Sequence, residues 1–219
     1  MGLLIRELDP DPALREVVRR ATYFEERSAG PMRRVEGPML GVVLLFSLGP
    51  DIEVAGERIG SFAAGLWDRP VTTGHFGEQR GYQLYLDVLG ARRLLGVPMS
   101  ELSNRLVPLE DLLGRQADEL TERLAEAGDV DGCHALVQAA LARRQVEGHP
   151  AAPEVAYALD RVRASRGAVR VEVLAAEVGW SARHLATRFH ADVGLAPKAV
   201  ARLARGGGKG LQRDRRRQP

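Results

Sequence analysis

Cysteine is almost missing from this chain: Cys133 is the only one in 219 residues. No internal disulfide can form, which fits a reducing compartment and makes a cytoplasmic location the expectation. Lysine is nearly as scarce, with Lys198 and Lys209 the only two, so arginine carries the positive charge. Aromatic residues make up just 5%. Long apolar runs are absent as well. The best candidate, Met39 to Leu48, is interrupted by Gly41 and falls far short of the roughly 20 residues a bilayer-spanning helix needs. The N-terminus lacks the basic patch, apolar stretch and small-residue cleavage site of a signal peptide, so no membrane partner is expected.

What is present is a division of charge. The net charge is only +2, yet from Pro153 onward there are fourteen basic residues against six acidic ones, and the preceding part is acidic by six. An acidic front and a basic back point to two modules, the back one with a polyanionic partner. Gly148, Pro150 and Pro153 punctuate the junction. The expected organisation is a sensor or oligomerisation domain over 1–147, a linker over 148–153, a helical domain over 154–205 and a disordered Gly/Arg tail over 206–219.

In the front part, Arg15 to Arg27 reads as a polar lead-in. Gly41 to Gly49 is a short apolar, β-branched run bounded by turn residues, the pattern of a buried strand. Ala55, Gly56 and Glu57 look like a hairpin tip, and short segments continue to Val88. Together they predict a small antiparallel sheet or barrel from about residue 33 to 88. Beyond it the period becomes helical. A short helix ends at Gly96; a longer one opens at Val107-Pro108 and runs to Gly128; another spans Cys133 to Arg144. The last two form a helical hairpin. The fold class is α+β.

The stretch from Leu174 to Val200 is the most informative. Glu154 to Ala164 predicts one helix and Val171 to Val178 the next, followed by Gly179 for a tight turn and Trp180 at the corner. Ser181 is a good N-cap for a helix reaching Ala191. Leu185 and Phe189 point inward, while Arg183, Ala186, Thr187 and His190 form a stripe on the other side. Gly194 and Pro197 end the helix and start another. This is the layout of a helix-turn-helix, which sets one helix in the DNA major groove.

The segment resembles the first helix-turn-helix of AraC/XylS-type transcription regulators, whose pattern is A-x-x-V-G-[YFW]-S-x-R-x-L-x-R-x-F-x-x-x-x-G-x-x-P. Ala175, Val178, Gly179, Trp180, Ser181, Arg183, Leu185, Phe189, Gly194 and Pro197 stand at the matching places. The front half is similar, more loosely, to sensor domains that precede such regions, so the resemblance covers residues 15 to 205. It implies a regulator that binds double-stranded DNA through Ser181, Arg183, Thr187 and His190, and it leaves open a small-molecule effector and a homo-oligomer. Two departures stand out. Thr187 occupies a position where the family carries arginine, and the chain passes into GGGKGLQRDRRRQP where the family continues through a linking helix into a second helix-turn-helix. Three consecutive glycines cost a helix about 1 kcal/mol each. The expectation is a chain truncated or altered after its first unit. The alternative is an interaction protein without sequence-specific DNA binding that pairs with intact relatives through its N-terminal domain.

Enzyme motifs fail on inspection. Gly179 to Arg183 opens like a nucleophile elbow but lacks the closing glycine, and Gly208 to Gly210 lacks the Ser/Thr and upstream glycine of a phosphate-binding loop. His184 and His190 are six apart on a helix and cannot share a metal; His75, His134 and His149 have no ligand spacing. Neither an enzyme nor a cofactor is expected, and Cys133 reads as a small core residue. Trp67, His75, Phe76, Tyr82 and Tyr85 are candidates for an effector cavity, though core is the favoured reading for them.

Overall fold

The computed structural model describes residues 2–148 and 150–206. It is an α+β fold, with antiparallel sheets first and helices after them. The strands are β1 (Gly2–Leu8), β2 (Val18–Arg27), β3 (Met32–Glu36), β4 (Val42–Ser47), β5 (Ile52–Val54), β6 (Glu57–Ile59), β7 (Phe62–Ala64), β8 (Val71–His75), β9 (Glu78–Leu86) and β10 (Leu106–Pro108). They form a six-stranded sheet, ordered β1-β2-β9-β4-β7-β10, and a four-stranded sheet, ordered β3-β8-β5-β6. Leu45, Val54 and Phe62 join the two sheets through a small apolar cluster. The opposite face of the larger sheet, with Tyr23, Leu44, Phe46, Tyr82 and Leu84, packs on the helices.

The sheet therefore begins well before residue 33. The segment read as a polar lead-in contains β2, which lies between β1 and β9. Its alternation is hidden for two reasons. A bulge falls between Val18 and Arg20, and Ala21, Thr22 and Tyr23 are buried in succession because both faces of the strand are covered there. The hairpin tip at Ala55-Gly56 is as expected, both residues having positive φ between β5 and β6.

The front helices are α1 (Val88–Leu95), α2 (Leu109–Leu113), α3 (Arg115–Glu126) and α4 (Val130–Glu147). The single long helix expected from Val107 is two, because Gly114 takes φ 59°, ψ −150°, a conformation open essentially to glycine. Pro108 belongs to β10 and precedes the helix rather than opening it. Helices α3 and α4 do pair, and the Cys133 thiol donates to the Leu124 carbonyl at 3.3 Å.

The back part holds α5 (Pro153–Ala164), α6 (Val171–Glu177), α7 (Ala182–Val193) and α8 (Pro197–Arg205). One apolar core runs without interruption from Leu14 through Leu94 and Leu102 to Leu159, Phe189 and Val200, so the front and back helices share it. Polar contacts cross the same boundary. Asp87 caps α1 through the Leu89 N–H and accepts from Arg19 at 2.9 Å and Arg163 of α5 at 2.6 Å. Arg92 of α1 pairs with the buried Asp192 of α7 at 2.6 Å, and the Ser103 hydroxyl donates to the Gly194 carbonyl. The Gly/Arg tail expected to be disordered lies outside the described residues except for Gly206, which follows α8.

Gly194 answers two demands. Its φ is +96°, and a Cβ there would sit 2.6 Å from the Ser103 hydroxyl and 2.9 Å from the Met99 carbonyl oxygen. Gly194→Ala is expected to destabilise the fold by about 1–3 kcal/mol, measured as a lower midpoint in urea unfolding. Asp87 sets an acid limit. Burial pushes its carboxyl upward, but the Arg163 and Arg19 guanidiniums outweigh that and hold it below its ordinary 3.8. A lowered folded-state value means the clasp acts fully above the ordinary carboxylate range and is lost as pH falls through the folded value. Unfolding titrations at about pH 6 and about pH 3 should show stability lost on acidification, and Asp87→Asn should be weaker at the higher pH with a shallower fall.

Candidate nucleic-acid interface

The turn between α6 and α7 is built from local hydrogen bonds. The Gly179 N–H donates to the Ala176 carbonyl at 3.2 Å and the Trp180 N–H to the Ala175 carbonyl at 2.9 Å. That pair of bonds, with Gly179 at φ +72°, is a Schellman stop. Helix α7 starts at once: the Ser181 hydroxyl accepts from the His184 N–H at 3.1 Å. The half-buried Trp180 stacks edge-on against the His184 ring, centroids 4.6 Å apart. At the far end the Gly194 N–H closes on the His190 carbonyl at 2.8 Å.

Leu185 and Phe189 are fully buried beneath α7, against the core that also holds Val155, Leu159, Val162 and Leu174. Ser181, Arg183, Thr187 and His190 are all exposed. At 100° per residue, Arg183, Thr187 and His190 fall within an arc of about 60° on the side turned away from Leu185 and Phe189. Three of the four candidate residues therefore share one exposed flank, and Ser181, also exposed, sits at the N-cap outside that stripe. Thr187 is partly engaged already, because its hydroxyl donates to the Arg183 carbonyl at 3.1 Å. Docking to the front part involves Asp192 and Gly194, at the opposite end of α7 from Arg183.

Across α5 to α8 most acidic residues are paired, while several cations are not. Among the described residues, Arg166, Arg183, Arg188, Lys198 and Arg202 have no ion pair, whereas Asp160, Glu172, Glu177 and Asp192 are each paired with an arginine. Arg161 grips Glu177 with two bonds, at 3.1 and 3.0 Å, tying α5 to α6, and Tyr157 donates to the same carboxylate at 3.2 Å. That contact holds the Glu177 carboxyl below its usual range. The first turn of α7 carries no acidic residue, so the positive end of its dipole adds to Arg183 instead of being offset.

The residues proposed for an effector cavity do not converge. Tyr82 and Tyr85 are three apart on β9 and so lie on opposite faces of the sheet. Tyr82 is in the core facing the helices, where its hydroxyl meets His134 Nδ1 at 2.6 Å. Phe76 is 70% exposed, which removes it from any core or cavity. The His75 side chain is buried with Nε2 3.8 Å from Glu26; burial foremost lowers its pKa, Glu26 opposing and Arg34 adding to the shift. No group of three or more metal-binding side chains occurs among the described residues, and His149 lies outside them. No helix of the described residues is long and apolar enough to cross a membrane.

Sequence reasoning selected Ser181 as a cap and Arg183, Thr187 and His190 as one stripe; in the structure Ser181 caps α7 and the other three are exposed. It missed Lys198 and Arg202 as neighbours of the same unit, though both stand on α8 with no acidic partner. Ser181→Ala is expected to cost about 1 kcal/mol of stability, with faster hydrogen exchange at the His184 amide as the local readout. No family model, no curated protein and no solved structure matches the chain.

Proposed function

We propose that the chain is a DNA-binding transcription regulator of AraC/XylS type, reading double-stranded DNA with α7 in the major groove. The observation that carries this reading is the two-sided character of α7. Its underside is anchored by fully buried Leu185 and Phe189, and its outer flank presents Arg183, Thr187 and His190 to solvent with no carboxylate partner among the described residues. A helix held this way enters a groove without rearranging its own core, and the surplus of free arginines attracts phosphate.

In this reading the roles differ by position. Arg183, near the N-terminus of α7, contacts a base edge or a phosphate. His190 lies two turns along the same stripe. Thr187 has a methyl and a hydroxyl to offer, but no long cation, and its hydroxyl is shared with the helix backbone. Ser181 holds the end of the helix and is close enough to its surface to reach a phosphate. Arg166, Arg188, Lys198 and Arg202 strengthen binding without selecting sequence. The front part acts as the sensor or oligomerisation unit.

Fluorescence anisotropy on the duplex upstream of the chain's own gene, against a scrambled duplex and at two salt concentrations, tests the reading. Wild type is expected to prefer the upstream duplex. Arg183→Ala should weaken that binding by about 1–3 kcal/mol and flatten the preference if it reads a base. Equal binding to both duplexes, falling steeply with salt, would favour the sequence-blind alternative.

A further inference from the structure

We infer that β1 is a self-association edge, and that two copies of this chain join by antiparallel pairing of their Gly2–Arg6 segments about Leu4. This goes beyond the DNA-binding reading and stands without it.

The four sheet edges are not alike. Strand β10 has three residues and ends in Pro108. Strand β6 is equally short and carries Glu57 and Arg58. Strand β3 carries Arg33, Arg34 and Glu36. Brevity, proline and charge are the features that discourage a sheet edge from adding another strand. Strand β1 has seven residues, pairs only with β2, and is exposed from Gly2 to Glu7. Its first half has neither proline nor charge. Leu3, Leu4 and Ile5 are consecutive and 46%, 49% and 38% exposed, a cluster no other described segment repeats. The charged half is already occupied within the chain, Arg6 with Asp131 at 2.8 Å and Glu7 near Arg20 at 3.9 Å.

The arrangement of these side chains indicates what covers them. Leu3 and Ile5 lie opposite Glu26 and Phe24 of β2, on one face; Leu4 lies opposite Glu25, on the other. A flat apolar surface or a helix laid on one face covers only one of the two sets. A strand continuing the sheet covers both, and also satisfies the outward backbone groups.

The strand is self-complementary in one register. A two-fold axis normal to the sheet keeps each side chain on its own face, so it passes through a residue rather than between two. Centred on Arg6, the pairing opposes Arg6 to Arg6 of the second copy. Centred on Ile5, it sets Leu4 against Arg6 and Leu3 against Glu7. Centred on Leu4, it sets Leu4 against Leu4 and Leu3 against Ile5, with Gly2 beside Arg6. Of these three registers the last alone pairs apolar with apolar on both faces and opposes no like charges.

Analytical ultracentrifugation of the full chain without DNA tests the inference. Wild type is expected to sediment as a dimer. Leu4→Lys, which places two cations on the axis, should give monomer with an unchanged circular dichroism spectrum, since the position is exposed, and with a thermal midpoint that no longer depends on protein concentration. Leu3→Lys and Ile5→Glu should each give monomer. The double variant should restore dimer, because the cation introduced in one copy then faces the carboxylate introduced in the other. A monomeric wild type, as when β1 receives a strand of some other protein, overturns the inference. So does a Leu4→Lys chain that still dimerises, or a double variant that stays monomeric. None of these outcomes bears on whether α7 binds DNA.

Discussion

The back half depends on how α7 is held: at its last turn by charge and close backbone packing, along its length by the fully buried Leu185 and Phe189, and at its first turn by the Ser181 cap and the contact of Trp180 with His184. The buried Asp192 meets Arg92 of α1, and Gly194 lies against Met99 and Ser103. These contacts tie the last turn of α7 to the front helices, while the outer side of its first turn, with Arg183, faces water. Asp87 works alongside them. One carboxylate caps α1 and holds Arg163 of α5, so the start of a front helix and the body of a back helix share an anchor. The direction in which α7 points is thus a property of the whole chain, not of α6 and α7 alone.

Two kinds of surface remain uncommitted, and their chemistry differs. Around α7 the unpaired groups are cations on a basic module, whose acidic residues are mostly neutralised by other arginines. On β1 they are three aliphatic side chains beside a row of open backbone groups. The first suits a polyanion at long range, the second an ordered strand at contact. They lie on different elements, β1 and the helices α7 and α8.

The boundaries of α6 and α7 were legible in the sequence because their determinants are local. Gly179, Ser181 and Gly194 mark a stop, a start and a stop within a short stretch, and all three do so in the structure. The hairpin at Ala55-Gly56 was legible for the same reason. What escaped is non-local. Strand β2 looks polar because its bulge breaks the alternation and because burial at its centre comes from strands and helices far along the chain. Phe76 looks like core material by residue type, yet lies in a turn where nothing covers it. The partnership of Asp87 with Arg163 joins residues 76 apart, and no spacing rule pairs them. Gly114 is the intermediate case: a glycine inside a leucine-rich pattern was visible, but the backbone conformation that makes it a break was not.

Helix α7 is a rod clamped at both ends. Its twelve residues span about 18 Å, with Leu185 fully buried in the first turn and Asp192 and Gly194 fixed to the front helices at the last. A tilt of about 5° moves an end by about 1.5 Å, half the length of a hydrogen bond, and so disturbs either the seat of Leu185 or the Arg92–Asp192 pair. The second of these clamps sits on α1, which follows directly from the end of β9 in the interior of the large sheet, so the aim of Arg183 is stiffened by a strand far from it.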